Sequence, residues 1–194
     1  DCAADWRDPE RLCLDLVDCP EKVHELVRLA NENFLPLFDH YDAVLKAHGQ
    51  LSATWMGIPS RGKMHIPSCD FTSLISTRGF DEFYLPCLLA EVQAMTHIVF
   101  HVDGKGMIRH LDRILAVPEI HAIQWAQGVG DDLPILQWLP LIKRIQAAGK
   151  SVLVDLQLSE LEPFINATNP NGLYLCIAAS EEIQPDILKR LERW

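Results

Sequence analysis

The chain has 194 residues, 48% of them hydrophobic, and a formal net charge of −10. That length can bury a sizeable core, and we expect a single domain over 1–194. The acidic balance argues against nucleic acid or an anionic membrane as partner, because their phosphates would be repelled. No apolar run approaches the ~20 residues needed to span a bilayer, and the opening residues lack the basic-then-apolar order of a signal peptide. The six cysteines have no CxxC spacing and sit in a chain too large to need staples, so reduced thiols and a cytoplasmic location are expected.

Asp1–Cys19 shows no clear strand and looks like a segment entered midway. The first firm helix is predicted from about Pro20 to His48, with Val23, Leu26, Val27, Ala30, Phe34, Leu37, Phe38 and Tyr41 at helical spacing. Pro20 suits its first turn, and Pro36 should kink it. Leu51–Met56 is a probable strand. Met64–Ser68 is a second one, delivering Cys69 and Asp70 to its carboxyl end. Asp81–Met95 is predicted helical, with Pro86 in its early turns.

The stretch that organises the chain follows at Thr96–Gly106, THIVFHVDGKG. Ile98, Val99 and Phe100 form a short apolar run closed by the turn signal Asp103-Gly104, which makes a buried strand. Residues two apart on a strand point the same way, so His101 and Asp103 should converge at its carboxyl end. A helix is predicted from about Met107 to Leu115, then a strand within Glu119–Ala126 and a helix over Pro134–Ala148. Ser151–Leu156 is a strand, Ser159–Asn166 a helix with a candidate serine cap, Leu173–Ala178 a strand and Glu181–Trp194 the last helix.

Alternation of helix and strand at roughly 25-residue spacing implies βα units and a parallel sheet. The fold class is therefore α/β. The pattern fits the C-terminal five or so βα units of a (β/α)8 barrel lacking its first part, and the alternative is a complete, doubly wound open sheet. A partial barrel exposes two raw edges, so a homo-oligomer or a partner segment supplying the missing strands is expected.

The run Ser68–Phe83, SCDFTSLISTRGFDEF, continued by Tyr84-Leu85-Pro86, resembles the uroporphyrinogen decarboxylase superfamily. So do Phe100–Gly106, the AIQW of Ala122–Trp125 and the AAGKSVLVDL of Ala147–Leu156, in that order and at that spacing. The resemblance implies a TIM-type barrel and one of two chemistries. In the decarboxylases, which act on a tetrapyrrole, the position of Asp70 usually holds a serine that contacts a substrate carboxylate. An anion at Asp70 would repel that substrate. The corrinoid-linked methyltransferases resemble this chain in a His-x-Cys at the organising strand and a later cysteine, which together hold zinc. Here those positions read His101-x-Asp103 and Cys176.

Zinc accepts imidazole nitrogen, carboxylate oxygen and thiolate sulfur, and three protein ligands leave a position open for substrate. The resemblance thus implies zinc on His101, Asp103 and Cys176, a small thiol as methyl acceptor, and a corrinoid protein as a possible partner. The expected catalytic residues are Asp70, His101 and Asp103, with Gln124 and Trp125 of the next strand against a cofactor. Each has a plainer role available: Asp103 as a turn former, Asp70 as a strand exit, Cys176 as a small buried hydrophobe, Trp125 as packing. His97, His110 and His121 are expected at the surface.

Overall fold

The computed structural model describes residues 1–192. Its internal contacts divide the chain into two compact units, Asp1–Phe100 with Gly106–Ile120, and His101–Lys105 with His121 onward. Strand β4 runs from the first into the second.

The first unit opens with helices rather than irregular chain. Helix α1 covers Cys2–Arg7 and α2 covers Pro9–Asp18. Between them Asp8 adopts φ 81° and ψ 128°, a positive-φ conformation uncommon for a residue other than glycine. Its carboxylate accepts hydrogen bonds from the Glu10 and Arg11 amides at 3.1 and 3.2 Å, which caps α2. The expected helix from Pro20 to His48 is two helices, α3 (Pro20–Asn31) and α4 (Phe34–Ala47). Pro36 explains the break. Its ring clashes with the carbonyl four residues back, that of Glu32, and it has no N–H to donate. A proline is accommodated only in a first turn, so the helix restarts just before it. Ala4, Leu12, Val23 and Phe83 form a buried cluster under these helices.

Strands β1 (Ser52–Ala53) and β2 (Pro59–Ser60) make a small antiparallel hairpin, so the first expected strand shrinks to two residues. Strand β3 (Met64–His65) pairs in parallel with the start of β4, His65 opposite Ile98. A 3-10 turn over Asp70–Leu74 leads to α5 (Thr77–Gly79), a π-helical stretch at Phe80–Tyr84 and α6 (Leu85–Gln93). Pro86 again sets the irregularity, because it cannot donate to the Glu82 carbonyl and the preceding turn widens. Strand β4 spans His97–Asp103, with Ile98, Val99, Phe100 and Val102 all buried. Burial of consecutive residues is the mark of a parallel strand covered on both faces.

A 3-10 turn at Lys105–His110 precedes α7 (Leu111–Leu115). Gly106 is required here: a Cβ would lie 2.9 Å from Ser73 Cβ. His110 corrects the expectation of a surface group. It is wholly buried, hydrogen-bonds the Thr72 carbonyl through Nε2 at 2.9 Å and stacks on Phe80 at 4.5 Å. Burial pulls its pKa below the ordinary histidine value, which keeps the imidazole neutral at physiological pH. Among the expected surface histidines, His97 and His121 are exposed.

In the second unit β5 (Ala122–Ala126), β6 (Ser151–Asp155) and β7 (Leu173–Cys176) pair in parallel, with Trp125 opposite Val154 and Asp155 opposite Cys176. Helices α8 (Leu139–Ala147), α9 (Leu161–Ala167) and α10 (Gln184–Leu191) alternate with them. The last two residues of the expected final helix lie outside the described residues. The strand order β3-β4-β5-β6-β7 follows the sequence without reversal. A doubly wound sheet reverses its order at a switch point, so that alternative is excluded. The fold is α/β with a five-stranded parallel sheet.

Ahead of α9, Glu160 and Gln157 form a capping box over the 3-10 turn Leu158–Glu160, and the Glu160 side chain bonds no amide of α9 itself. The Glu160 carboxylate is buried and accepts from the Gln157 and Leu136 amides, both at 3.2 Å. Glu160→Ala strands two amide donors and is expected to cost about 2 kcal/mol. Ser159→Ala should stay within about 0.5 kcal/mol of the parent. Urea denaturation of the two variants separates these outcomes.

Candidate functional site

The second unit collects polar side chains at the carboxyl ends of its strands. On β4 the buried Phe100 and Val102 alternate with His101 and Asp103, which share the opposite face. His101 Nδ1 lies 2.6 Å from Gln124 Oε1 on β5. An amide oxygen only accepts, so the proton of this bond sits on Nδ1. In the neutral ring the acceptor lone pair is then on Nε2. Gln124 is thus the residue that orients His101, a role its expected place against a cofactor did not specify.

Asp103 is exposed at the strand tip. Gly104 turns the chain away at φ +68° while its amide donates to the Ala126 carbonyl at 2.8 Å. A left-handed residue is needed there, and glycine adopts that conformation at no steric cost. Lys105 pairs with Asp132 at 2.9 Å. Asp70, in the first unit, opens the 3-10 turn after β3, is exposed and accepts a bond from Ser68 Oγ at 3.3 Å. Within the second unit His101 and Asp103 each offer one ligand atom, and the two lie within 4.8 Å of one another.

Cys176 stands apart from that group. It is half-buried at the end of β7 opposite Asp155, and burial, followed by the charge and hydrogen bond of Asp155, pushes its thiol pKa up. The two residues line a cavity of about 440 Å³ together with Gln127 and Gln157. Gln127 is buried, and its amide donates at 2.9 Å to the carbonyls of Leu133 and Asp155, which holds the cavity wall. Trp125 has no exposed surface and packs edge-on against Trp138 at 4.9 Å. Its ring is part of the core. All six cysteines are free of disulfides.

Asp155 and Gln127 escaped the sequence analysis. The signal for Asp155 was available, since VLVD ends on an aspartate as VFHVD does. Gln127 follows its strand in a loop that carries no such pattern. No helix of the described residues is long and apolar enough to cross a membrane. Comparison with protein-family models, curated proteins and solved structures finds no match to this chain.

The raised thiol gives a direct test. Asp155→Asn removes the anion beside Cys176, so the pKa should fall and more thiolate should exist at a given pH. Alkylation of Cys176 by iodoacetamide, followed by mass spectrometry from pH 7 to 10, should shift its midpoint downward in the variant. An unchanged midpoint would show that burial alone sets this thiol.

Proposed function

We propose that the chain is a zinc-assisted methyl-transfer enzyme of the uroporphyrinogen decarboxylase type, moving a methyl group from a carrier to a small thiol. The observation that carries this reading is the 2.6 Å contact between His101 Nδ1 and Gln124 Oε1. A ligating histidine characteristically donates its other ring N–H to a fixed acceptor, which sets the tautomer and aims the metal-binding nitrogen. Asp103, two residues on, adds a carboxylate on the same strand face.

The donor types suit zinc: imidazole nitrogen from His101 and carboxylate oxygen from Asp103; Cys176, the third expected ligand, is not among the ligand atoms that lie within 4.8 Å of these two. Burial and Asp155 keep Cys176 protonated in the absence of a cation. Zinc, when bound, supplies a positive charge that deprotonates a coordinated thiol at neutral pH. In the reaction the acceptor thiol gives its proton to solvent and its sulfur forms a bond to the methyl carbon. The bond between that carbon and the carrier breaks, with the electron pair left on the carrier. The exposed carboxylate of Asp103 also disfavours a polyanionic substrate such as a porphyrinogen acid, which sets the decarboxylase alternative second.

Metal analysis of protein purified without chelator should find one zinc per chain. His101→Ala should abolish it, and Gln124→Ala should weaken it roughly 10- to 100-fold, the usual cost of losing an outer hydrogen bond. Supplied with methylcobalamin and 2-mercaptoethanol, the zinc-loaded chain should form the methyl thioether. Zinc content indifferent to His101 would end the proposal.

A further inference from the structure

The first unit contains a cavity of about 530 Å³, lined entirely by its own residues. Much of the wall is hydrocarbon, from Leu16 of α2, Val27 of α3, Phe34 of α4, and Phe71 and Phe83 beyond β3. A volume of this size lies within the range of small-molecule sites.

The polar groups of the wall divide by whether their bonds are already made. The Asp1 carboxylate accepts from the Asp70 and Phe71 amides at 3.3 and 3.1 Å, and its ammonium lies 3.5 Å from Cys69 Sγ. That residue therefore brings no net charge. Ser68 donates its hydroxyl to the Asp70 carboxylate at 3.3 Å, and Thr72 donates to the Cys69 carbonyl at 2.6 Å. The Asn31 amide donates to the Val27 carbonyl at 3.4 Å. Burial raises the thiols of Cys69 and Cys87 and the phenol of Tyr84 above their ordinary pKa values, so these groups stay protonated and uncharged.

What remains is Glu91 of α6. Its side chain is only 18% exposed, and its one side-chain hydrogen bond among the described residues is long, 3.4 Å from Oε2 to His65 Nε2. The His65 ring is itself held against Phe34 at 4.9 Å and Phe38 at 6.1 Å. A carboxylate so far out of water needs close, charged partners, and a neutral imidazole at that distance supplies little. Glu91 is then the uncompensated charge of the wall. A bound Ca²⁺ or Mg²⁺ would demand several more oxygen ligands, and no cluster of three metal-ligating side chains forms around Glu91 among the described residues. An ammonium group needs one close counter-charge and brings hydrocarbon with it.

We infer that this cavity binds an organic monocation, a protonated primary amine on an aromatic or alkyl body, with the ammonium paired to Glu91. The body lies against Phe34, Phe71 and Phe83, and the net charge of −10 on the chain favours the approach of cations. The site belongs to the first unit alone and stands independently of the strand-end chemistry.

The test is calorimetric titration of the full chain, at a pH above the ordinary histidine range, with ligands of one length and three charges: 4-phenylbutylamine, 4-phenylbutanol and 4-phenylbutyrate. The amine should bind saturably at one per chain and roughly tenfold tighter than the alcohol, the worth of a hydrogen bond to a charged group. The carboxylate should bind weakest. Glu91→Gln should weaken the amine roughly tenfold and leave the alcohol where it was. Glu181→Gln, which removes the same charge from an exposed position, should change neither. Val27→Trp fills the cavity and should abolish binding of the amine; Ala30→Leu is the milder version should the tryptophan variant fail to melt cooperatively. Absence of saturable amine binding, or binding that both cavity-filling variants leave intact, would overturn the site. An amine no tighter than the alcohol, or one weakened equally by Glu91→Gln and Glu181→Gln, would overturn the pairing with Glu91.

Discussion

Parallel pairing is the constraint on which the rest of this structure depends. A parallel strand cannot return by a tight turn, so each successive strand is reached through a crossover, and both sheet faces become covered. Strand β4 shows the consequence, with Ile98, Val99, Phe100 and Val102 buried in near succession. Polar groups that cannot be hidden in such a strand are displaced to its tips. His101 and Asp103 end β4, Asp155 ends β6 and Cys176 ends β7. These polar groups gather there because the interior of the sheet excludes them.

The partners at those tips differ in charge, and the difference decides what each group can do. His101 is held by the neutral amide of Gln124. An amide oxygen orients the ring without placing an anion beside it, so the tautomer is set by geometry rather than by a neighbouring charge. Cys176 faces the opposite situation, since Asp155 beside it adds a negative charge to the cost of burial. A lone thiolate there is doubly disfavoured, and only a cation would reverse the balance. The two residues therefore stand in different surroundings: a neutral amide orients one, and an anion adds to the burial of the other.

What the sequence disclosed follows the same physics. The alternation of apolar runs and turn residues carried the α/β class and the placement of β4 to β7, because burial on both faces leaves a strong mark in composition. Turn chemistry placed the Asp103-Gly104 exit, which the positive φ of Gly104 explains. The irregular parts were less legible. Pro36 announced a disturbance but not that the helix would stop at Asn31 and restart at Phe34. Ser159 has the chemistry of a cap, yet the capping box there is made by Gln157 and Glu160 over the turn before α9, and the buried Glu160 carboxylate also accepts from the Leu136 amide. His110 was misplaced for a similar reason. Met107, His110, Leu111 and Ile114 fall on one helical face, so spacing points inward while residue type points outward, and spacing prevails. Cross-strand contacts such as His101 to Gln124 join residues 23 apart, and periodicity says nothing about register.

The buried polar groups of the first unit sharpen the contrast between structure and site. His110 and Tyr84 both lie deep, and Phe80 touches both rings. His110 has spent its one N–H on the Thr72 carbonyl, and its remaining nitrogen is an acceptor without a partner. A neutral imidazole in that state loses little, because an acceptor left unpaired is tolerated more readily than a donor. Among the described residues the Tyr84 hydroxyl has neither given its proton nor received one. Burial also holds its pKa well above the ordinary phenol range, so the group remains a donor throughout physiological pH. Phenylalanine would fill the same space between Phe80 and Phe100 without that cost. The hydroxyl is therefore an unpaired donor inside packed protein, a cost of roughly 1–3 kcal/mol that the surrounding packing has to offset.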